Sequence, residues 1–244
     1  MDRYGTILTR IRFRLREVGL IYTLYLVLQH ITSRHFFQFQ HMFIIALPID
    51  AAAPAAQPHP CIREATRDET SRIAAIGGPA ADVEKHFDRG DRCWVFERDG
   101  KLLACDWIRH SAQDRIGWII LGKNPDEIWS AGILVDRTHR GQGIAPLLRS
   151  QVIRECAGGR ISRMLGFIDT PNRNSVRALD RVGYRPLGIL FYLRIFSLGI
   201  VHSGKRWRWG RWSERSPLRL SMCDIADPSC LRLWSAITDE HIAR

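Results

Sequence analysis

Asp136-Arg137-Thr138-His139-Arg140-Gly141-Gln142-Gly143-Ile144-Ala145 is the stretch on which the fold turns. It follows Glu127 to Val135, whose apolar content predicts a strand. It precedes a segment to Cys156 in which Ile144, Leu148, Val152 and Cys156 recur at helical spacing. Two glycines one residue apart therefore sit where a strand gives way to a helix. Glycine permits a tight turn and close approach of a ligand to the backbone. The first turn of a helix adds N–H groups without intrahelical partners and the positive end of the helix dipole. That combination suits an anion such as a pyrophosphate, and Arg140 adds a positive charge. No Gly-Lys-Ser/Thr follows, so this is not a Walker loop, and the dinucleotide-binding glycine spacing is missing as well.

Outward from this junction, strands and helices alternate. Ile62–Thr66 predicts a strand and Asp68–Ile76 a helix, stopped by Gly77-Gly78-Pro79. Cys93–Glu97 and Leu102–Ile108 flank Arg98-Asp99-Gly100-Lys101, a hairpin signal. Ile116–Leu121 and Ile161–Ile168 read as strands, and Arg173–Val182 as a helix closed by Gly183. Strands follow over Tyr184–Phe196 and Ile200–Trp212, and a short helix over Ser229–Ile242. The expected class is α/β or α+β, a mixed sheet flanked by helices.

The motifs resemble those of the GNAT (Gcn5-related N-acetyltransferase) superfamily. Arg140-Gly141-Gln142-Gly143-Ile144-Ala145 is similar to its acetyl-CoA loop, Arg/Gln-x-x-Gly-x-Gly/Ala. Asn172, Ser175, Gly183 and Tyr184 are similar to its Asn-x-x-Ser/Ala…Gly-Phe/Tyr segment, and Ile62–Asp68 to its first strand and helix start. The resemblance spans roughly 61–200. It implies an acyltransferase with acetyl-CoA as co-substrate and no metal, in which an acceptor amine or hydroxyl attacks the thioester directly. It implies splayed fourth and fifth strands, with the pantetheine arm pairing along Ile133, Leu134 and Val135. The pyrophosphate would lie on the N–H groups of Arg140 to Ala145. Asn172 and Ser175 would meet the cofactor arm, although Asn172 also fits a helix N-cap. A Tyr that many members carry seven residues after the motif Asn is replaced by Leu179.

Glu127, at the start of the fourth strand, is the expected general base. Alternation places it on the face of Trp129, Ala131, Ile133 and Val135, and burial there would raise its pKa. The alternative is an exposed strand-end carboxylate beside Asp126. Asp106, His110 and His139 are weaker candidates, and Asp169 could meet a cationic acceptor or cap a helix.

The chain's 244 residues include 36 Lys or Arg against 25 Asp or Glu, a formal charge of +11 that is densest per residue near the two ends. Basicity concentrated outside the folded domain disfavours nucleic acid as a partner. Five arginines within residues 3–16 border an apolar stripe (Tyr4, Ile7, Leu8, Ile11, Leu15, Val18, Tyr22, Tyr25), which predicts an amphipathic helix. It suits an anionic membrane surface, the protein's own domain or a homodimer contact. Phe36–Ile49 reads as an apolar strand, and Ala51–Pro60 as a linker. The expected layout is 1–50, linker 51–60, an acyltransferase domain over 61–212 and an appendage over 213–244. Six cysteines without CxxC spacing read as free thiols in a cytoplasmic protein, with attachment to the inner membrane surface left open. Lys205 to Trp212 interleaves Trp with Arg, a pattern of an edge strand, a membrane-interface anchor or an anionic-polymer contact. The acceptor, whether small molecule, protein or glycan, is not legible. The rival to an enzyme is a module of the same fold that binds acyl-CoA or a membrane without chemistry.

Overall fold

In the computed structural model, the described residues are 37–49, 59–77, 79–157, 159–196, 198–213 and 215–239. The amphipathic stripe of residues 4–25 and most of the linker lie outside them. The chain divides into two compact units. Unit I comprises Ala46–Asp114 and Lys123–Gly166, and unit II comprises Met1–Ile45, Arg115–Gly122 and Phe167–Arg244.

Unit I is built on β2 (Ile62–Glu64), β3 (Arg92–Arg98), β4 (Lys101–Arg109), β7 (Glu127–Val135) and β8 (Arg163–Asp169), the last running on into unit II. The order is β8-β7-β4-β3-β2. β2, β3, β4 and β7 pair antiparallel, and β7 and β8 pair parallel, so the sheet is mixed. Ile73 and Ile76 of α1 (Thr70–Gly77) and Val83 of α2 (Ala80–Asp88) bury one face together with Cys93, Val95, Cys105 and Trp107. Helix α2 was not legible in the sequence. Pro79 stops α1 but stands at the N-cap position of the next helix, a place where a missing N–H costs nothing. Helix α3 (Ile144–Ala157) buries Ile144, Leu148 and Val152, the stripe that the periodicity predicts.

Unit II holds the end of β1 (Phe37–Pro48) that precedes Ala46, β9 (Arg185–Ile195), β10 (Leu198–Ser203) and β11 (Arg206–Arg211), in the order β11-β10-β9-β1-β8. Met42 to Leu47 of β1 are all buried, as expected of a central strand covered on both faces. A small sheet, β12-β6-β5, joins β5 (Gln113–Ile116), β6 (Ile119–Gly122) and β12 (Leu218–Leu220). The strand expected over Ile116–Leu121 is broken because Gly117 takes a φ of 56°, open to glycine at little cost. Likewise Ile200–Trp212 is a hairpin, turning at Gly204. The segment after Trp212 supplies β12, α5 (Met222–Ile225) and α6 (Cys230–Asp239). The Trp234 indole N–H donates to Asp180 of α4 (Arg173–Val182) at 2.8 Å, and its ring packs edge-on against Phe43. Among the described residues no helix is long and apolar enough to cross a membrane.

Candidate active site

The loop between β7 and α3 is built by Asp136. Its backbone N–H donates to the Leu103 carbonyl at 2.7 Å, so the loop leaves the sheet at a fixed point. Its carboxylate accepts from the Thr138 hydroxyl, the Thr138 N–H (3.0 Å) and the His139 ring (3.0 Å). The hydroxyl, the ring and the N–H, in that order, hold this carboxyl well below the usual carboxylate range. Arg140 folds back, its Nε donating to the Val135 carbonyl at 3.3 Å. The sequence therefore does bring Val135 and Arg140 together.

Gly141 and Gly143 both take a φ of 78°, which only glycine adopts readily. A Cβ placed on either would meet no atom within 4 Å, so packing does not explain the glycines. Both are exposed, as is Gln142, and α3 starts directly after them. The first turn of α3 carries no acidic side chain to neutralise the dipole. Among the described residues, the N–H groups of Gly143, Ile144 and Ala145 donate to no backbone carbonyl, while Pro146 has no N–H. An open, glycine-walled cradle at a positive helix end fits a pyrophosphate, and hence the acyl-CoA that the resemblance implies.

The neighbouring strand also fits. Its ladder with β8 pairs only Glu127, Ile128 and Trp129 with Arg163, Met164 and Leu165. Ile133, Leu134 and Val135 lie beyond it and are half-buried or exposed, with backbone paired to β4 on one side. A bulge falls between these halves. Ser130 pairs with Ile108 but Gly132 with Trp107, so Ala131 is an extra residue, and Gly132 takes a φ of 130°. The bulge corrects the expected alternation. Glu127 and Trp129 share a face with Gly132 and Leu134, whereas Ile133 and Val135 fall on the other.

Glu127 is fully buried, which excludes the exposed-carboxylate alternative. One oxygen accepts from the Arg163 guanidinium and the Asn124 amide, the other from the Asn124 backbone N–H at 2.6 Å. Such a carboxylate ties the start of β7 to β8. His110, one residue past β4, is differently placed. The residue as a whole is exposed, but partial burial of its ring, then Arg92 and Lys123, lower its pKa against the pull of Asp91 and Glu64, which favours the neutral imidazole. His139 is engaged by Asp136 and Thr138.

Asp106 is fully buried in β4, on the face of Ser130 and Ile133. Arg149 of α3, also buried, brings Nη2 to 2.9 Å from Oδ1 of Asp106 and 2.8 Å from Oγ of Ser130. Neither Asp106 oxygen accepts a hydrogen bond of good geometry among the described residues. Burial raises this carboxyl to about 6, with Arg149 partly offsetting it. Arg149 thus pins the helix behind the cradle to β4 and β7. Sequence reasoning missed it, although a lone Asp within Leu-Leu-Ala-Cys-Asp-Trp-Ile forecasts a cation facing that strand.

Asn172 and Ser175 belong to unit II. Asn172 is the N-cap of α4, its side-chain oxygen accepting from the Ser175 N–H at 3.3 Å. Gly183 closes the same helix with a φ of 103°. Leu179, at the missing Tyr position, is half-buried on α4.

The family model for the acetyltransferase (GNAT) family matches residues 60–184 of the 244. The chain belongs to the GNAT acetyltransferase family. The matched span of this GNAT chain contains the cradle, the bulged strand and the capped helix α4. Comparison with curated proteins finds no match. Among solved structures, a GNAT-family protein from Novosphingobium aromaticivorans is 16% identical with a TM-score of 0.48, covering 64% of this chain and 65% of its own. A GNAT acetyltransferase from Colwellia psychrerythraea is 17% identical with a TM-score of 0.47, covering 66% and 57%. An aminoglycoside N-acetyltransferase in complex with CoA is 18% identical with a TM-score of 0.41, covering 51% and 90%. The GNAT chain thus spans less than two thirds of the length of the first two.

Proposed function

We propose that the protein transfers an acyl group, acetyl in the first instance, from acyl-CoA to an amine or hydroxyl acceptor. The observation that carries this reading is the cradle, with two left-handed glycines facing open space at an uncompensated helix N-terminus. When bound, acyl-CoA supplies an activated thioester. In this reading Gly141, Gln142, Gly143, Ile144 and Ala145 bind the diphosphate by backbone N–H groups, and Arg140 adds positive charge. The edge of Ile133, Leu134 and Val135 pairs with amides of the pantetheine arm as an added strand would. Asn172 and Ser175 form the cap at the start of α4.

Acyl transfer by direct attack also requires that the acceptor lose a proton. His110 suits that task better than Glu127, because a neutral imidazole accepts a proton at pH 7. No side chain at position 179 protonates the departing thiolate, which leaves with solvent or unaided. A second reading, an acyl-CoA-binding module without turnover, is favoured by the engaged oxygens of Glu127 together with Leu179.

The test offers acetyl-CoA and pools of small amines, amino sugars, peptides and polysaccharides, and measures CoA release. Acceptor-dependent release supports the transferase. Tight acetyl-CoA binding with no release from any pool supports the binding module.

A further inference from the structure

The outer edge of unit II carries a surface that acyl transfer does not use. In the register of β9, β10 and β11, Ile195 faces Leu198, Leu193 faces Ile200, and Ile200 faces Trp209. These residues point to one side of the three strands. The opposite side packs inward, with Arg194 over Trp118 at 3.8 Å and Arg208 bonded to Asp224 at 2.8 Å. On the outward side Trp209 is 84% exposed, Trp207 65% and Leu198 50%. Trp207 is braced on the rings of His202 and Phe191, so it is held in place while exposed.

The hairpin tip makes the same point independently. Ile195 and Leu198 pair across a two-residue turn whose first residue, Phe196, has a φ of 52° and is 63% exposed. Such turns favour Gly, Asn or Asp at this position, and a bulky residue there is strained. Phe196 thus stands exposed between two exposed aliphatic residues, Ile195 and Leu198. Around it the charge is one-sided. Between Pro186 and Cys223 there are seven Lys or Arg and one acidic residue, Glu214. Arg211 is exposed on the side of the tryptophans, Lys205 is exposed in the turn beside them, and Arg206, also exposed, alternates to the other side.

We propose that this face docks on an anionic lipid bilayer. The aliphatic and aromatic tip enters the head-group boundary, and Lys205 and Arg211 meet lipid phosphates. Indole and guanidinium groups both favour that layer. A nucleic acid would leave Ile195, Phe196 and Leu198 without a partner. Pairing of β11 with a second copy would set three arginines of six residues against their equivalents, which disfavours an edge-to-edge dimer.

The test uses the full-length protein and co-sedimentation with vesicles of phosphatidylcholine alone or mixed with phosphatidylglycerol. The paired variant is Phe196→Asn with Trp209→Ser. Both positions are exposed and Asn suits the left-handed turn, so the fold is kept. The expected result is binding to the mixed vesicles that 1 M salt weakens but does not abolish, with about tenfold or greater loss of partitioning in the variant. Brominated acyl chains should quench tryptophan emission in the wild type more than in the variant. Equal partitioning of variant and wild type would overturn the proposal, because another segment would then carry the binding. So would equal binding to neutral vesicles, no binding at low salt, or a dimer in solution that the variant dissociates.

Discussion

Replacing Arg149 by Met removes the cation from a buried site while keeping most of the side-chain volume. Arg149 lies 2.9 Å from the carboxylate of Asp106, and both side chains are buried. Losing one partner of such a pair leaves an uncompensated buried charge, at a cost of about 3–5 kcal/mol. That is a large part of a typical domain's stability of about 5–15 kcal/mol. The sign of the pH dependence follows from Asp106. Burial lifts its carboxyl from an ordinary 3.8 to about 6 in the fold. The folded state therefore binds this proton more tightly than the unfolded chain. The penalty of ionising Asp106 is present in full above pH 6, about 3 kcal/mol, and is relieved as pH falls from 6 towards 4. Without Arg149 the carboxyl rises further, so the variant carries a protonated Asp106 over a wider range. Urea unfolding should show a loss of about 3–5 kcal/mol at pH 8 and a clearly smaller loss at pH 5.5. The double variant Arg149→Met with Asp106→Leu should recover most of the stability at pH 8. A loss below about 1 kcal/mol at pH 8, or one independent of pH, would refute the reasoning.

Three further outcomes test other parts of the molecule. Glu127→Gln should cost about 1.5–3 kcal/mol through its bonds to Arg163 and Asn124, measured by urea unfolding, with turnover changing little. A fall in turnover of about 10²–10⁴-fold at unchanged stability would identify Glu127, and not His110, as the base. Asn172→Ala should lower stability by about 1 kcal/mol through loss of the α4 cap, and Asn172→Asp should retain it at neutral pH, both read from thermal unfolding. Gly188→Ala should prevent expression of folded protein or cost several kcal/mol, because its Cβ would come within 2.0 Å of the Ile225 carbonyl oxygen. Near wild-type circular dichroism and melting in that variant would show that α5 moves aside freely.

The parts of the fold that were legible from sequence are those fixed by local chemistry. β7 and α4 begin and end at the residues that pattern and capping chemistry indicate, and α3 begins where the glycine loop ends. The cradle was legible because Gly141 and Gly143 meet a local backbone requirement. What was not legible depends on partners distant in sequence. The Ala131 bulge is set by pairing with β4, and no residue type announces it. It reverses which face Ile133 and Val135 occupy. The bond from Arg163 to Glu127 is not legible because the two residues lie 36 positions apart. Helix α2 was hidden because the breaker that stops one helix at Gly77 is followed at once by Pro79, the N-cap of the next.

Isothermal titration of acetyl-CoA into the wild type and into Gly143→Asp tests the central claim most directly. Asp tolerates the left-handed backbone better than most residues, and its Cβ meets nothing in the protein, so the variant keeps its fold. It nevertheless puts a carboxylate where the cradle would hold a diphosphate. The account predicts saturable binding to the wild type. It also predicts a rise in unfolding free energy of about 2.7 kcal/mol at a ligand concentration one hundred times Kd. Neither should be seen with the variant. Equal acetyl-CoA affinity in a folded Gly143→Asp protein would contradict the assignment of this loop as the acyl-CoA site.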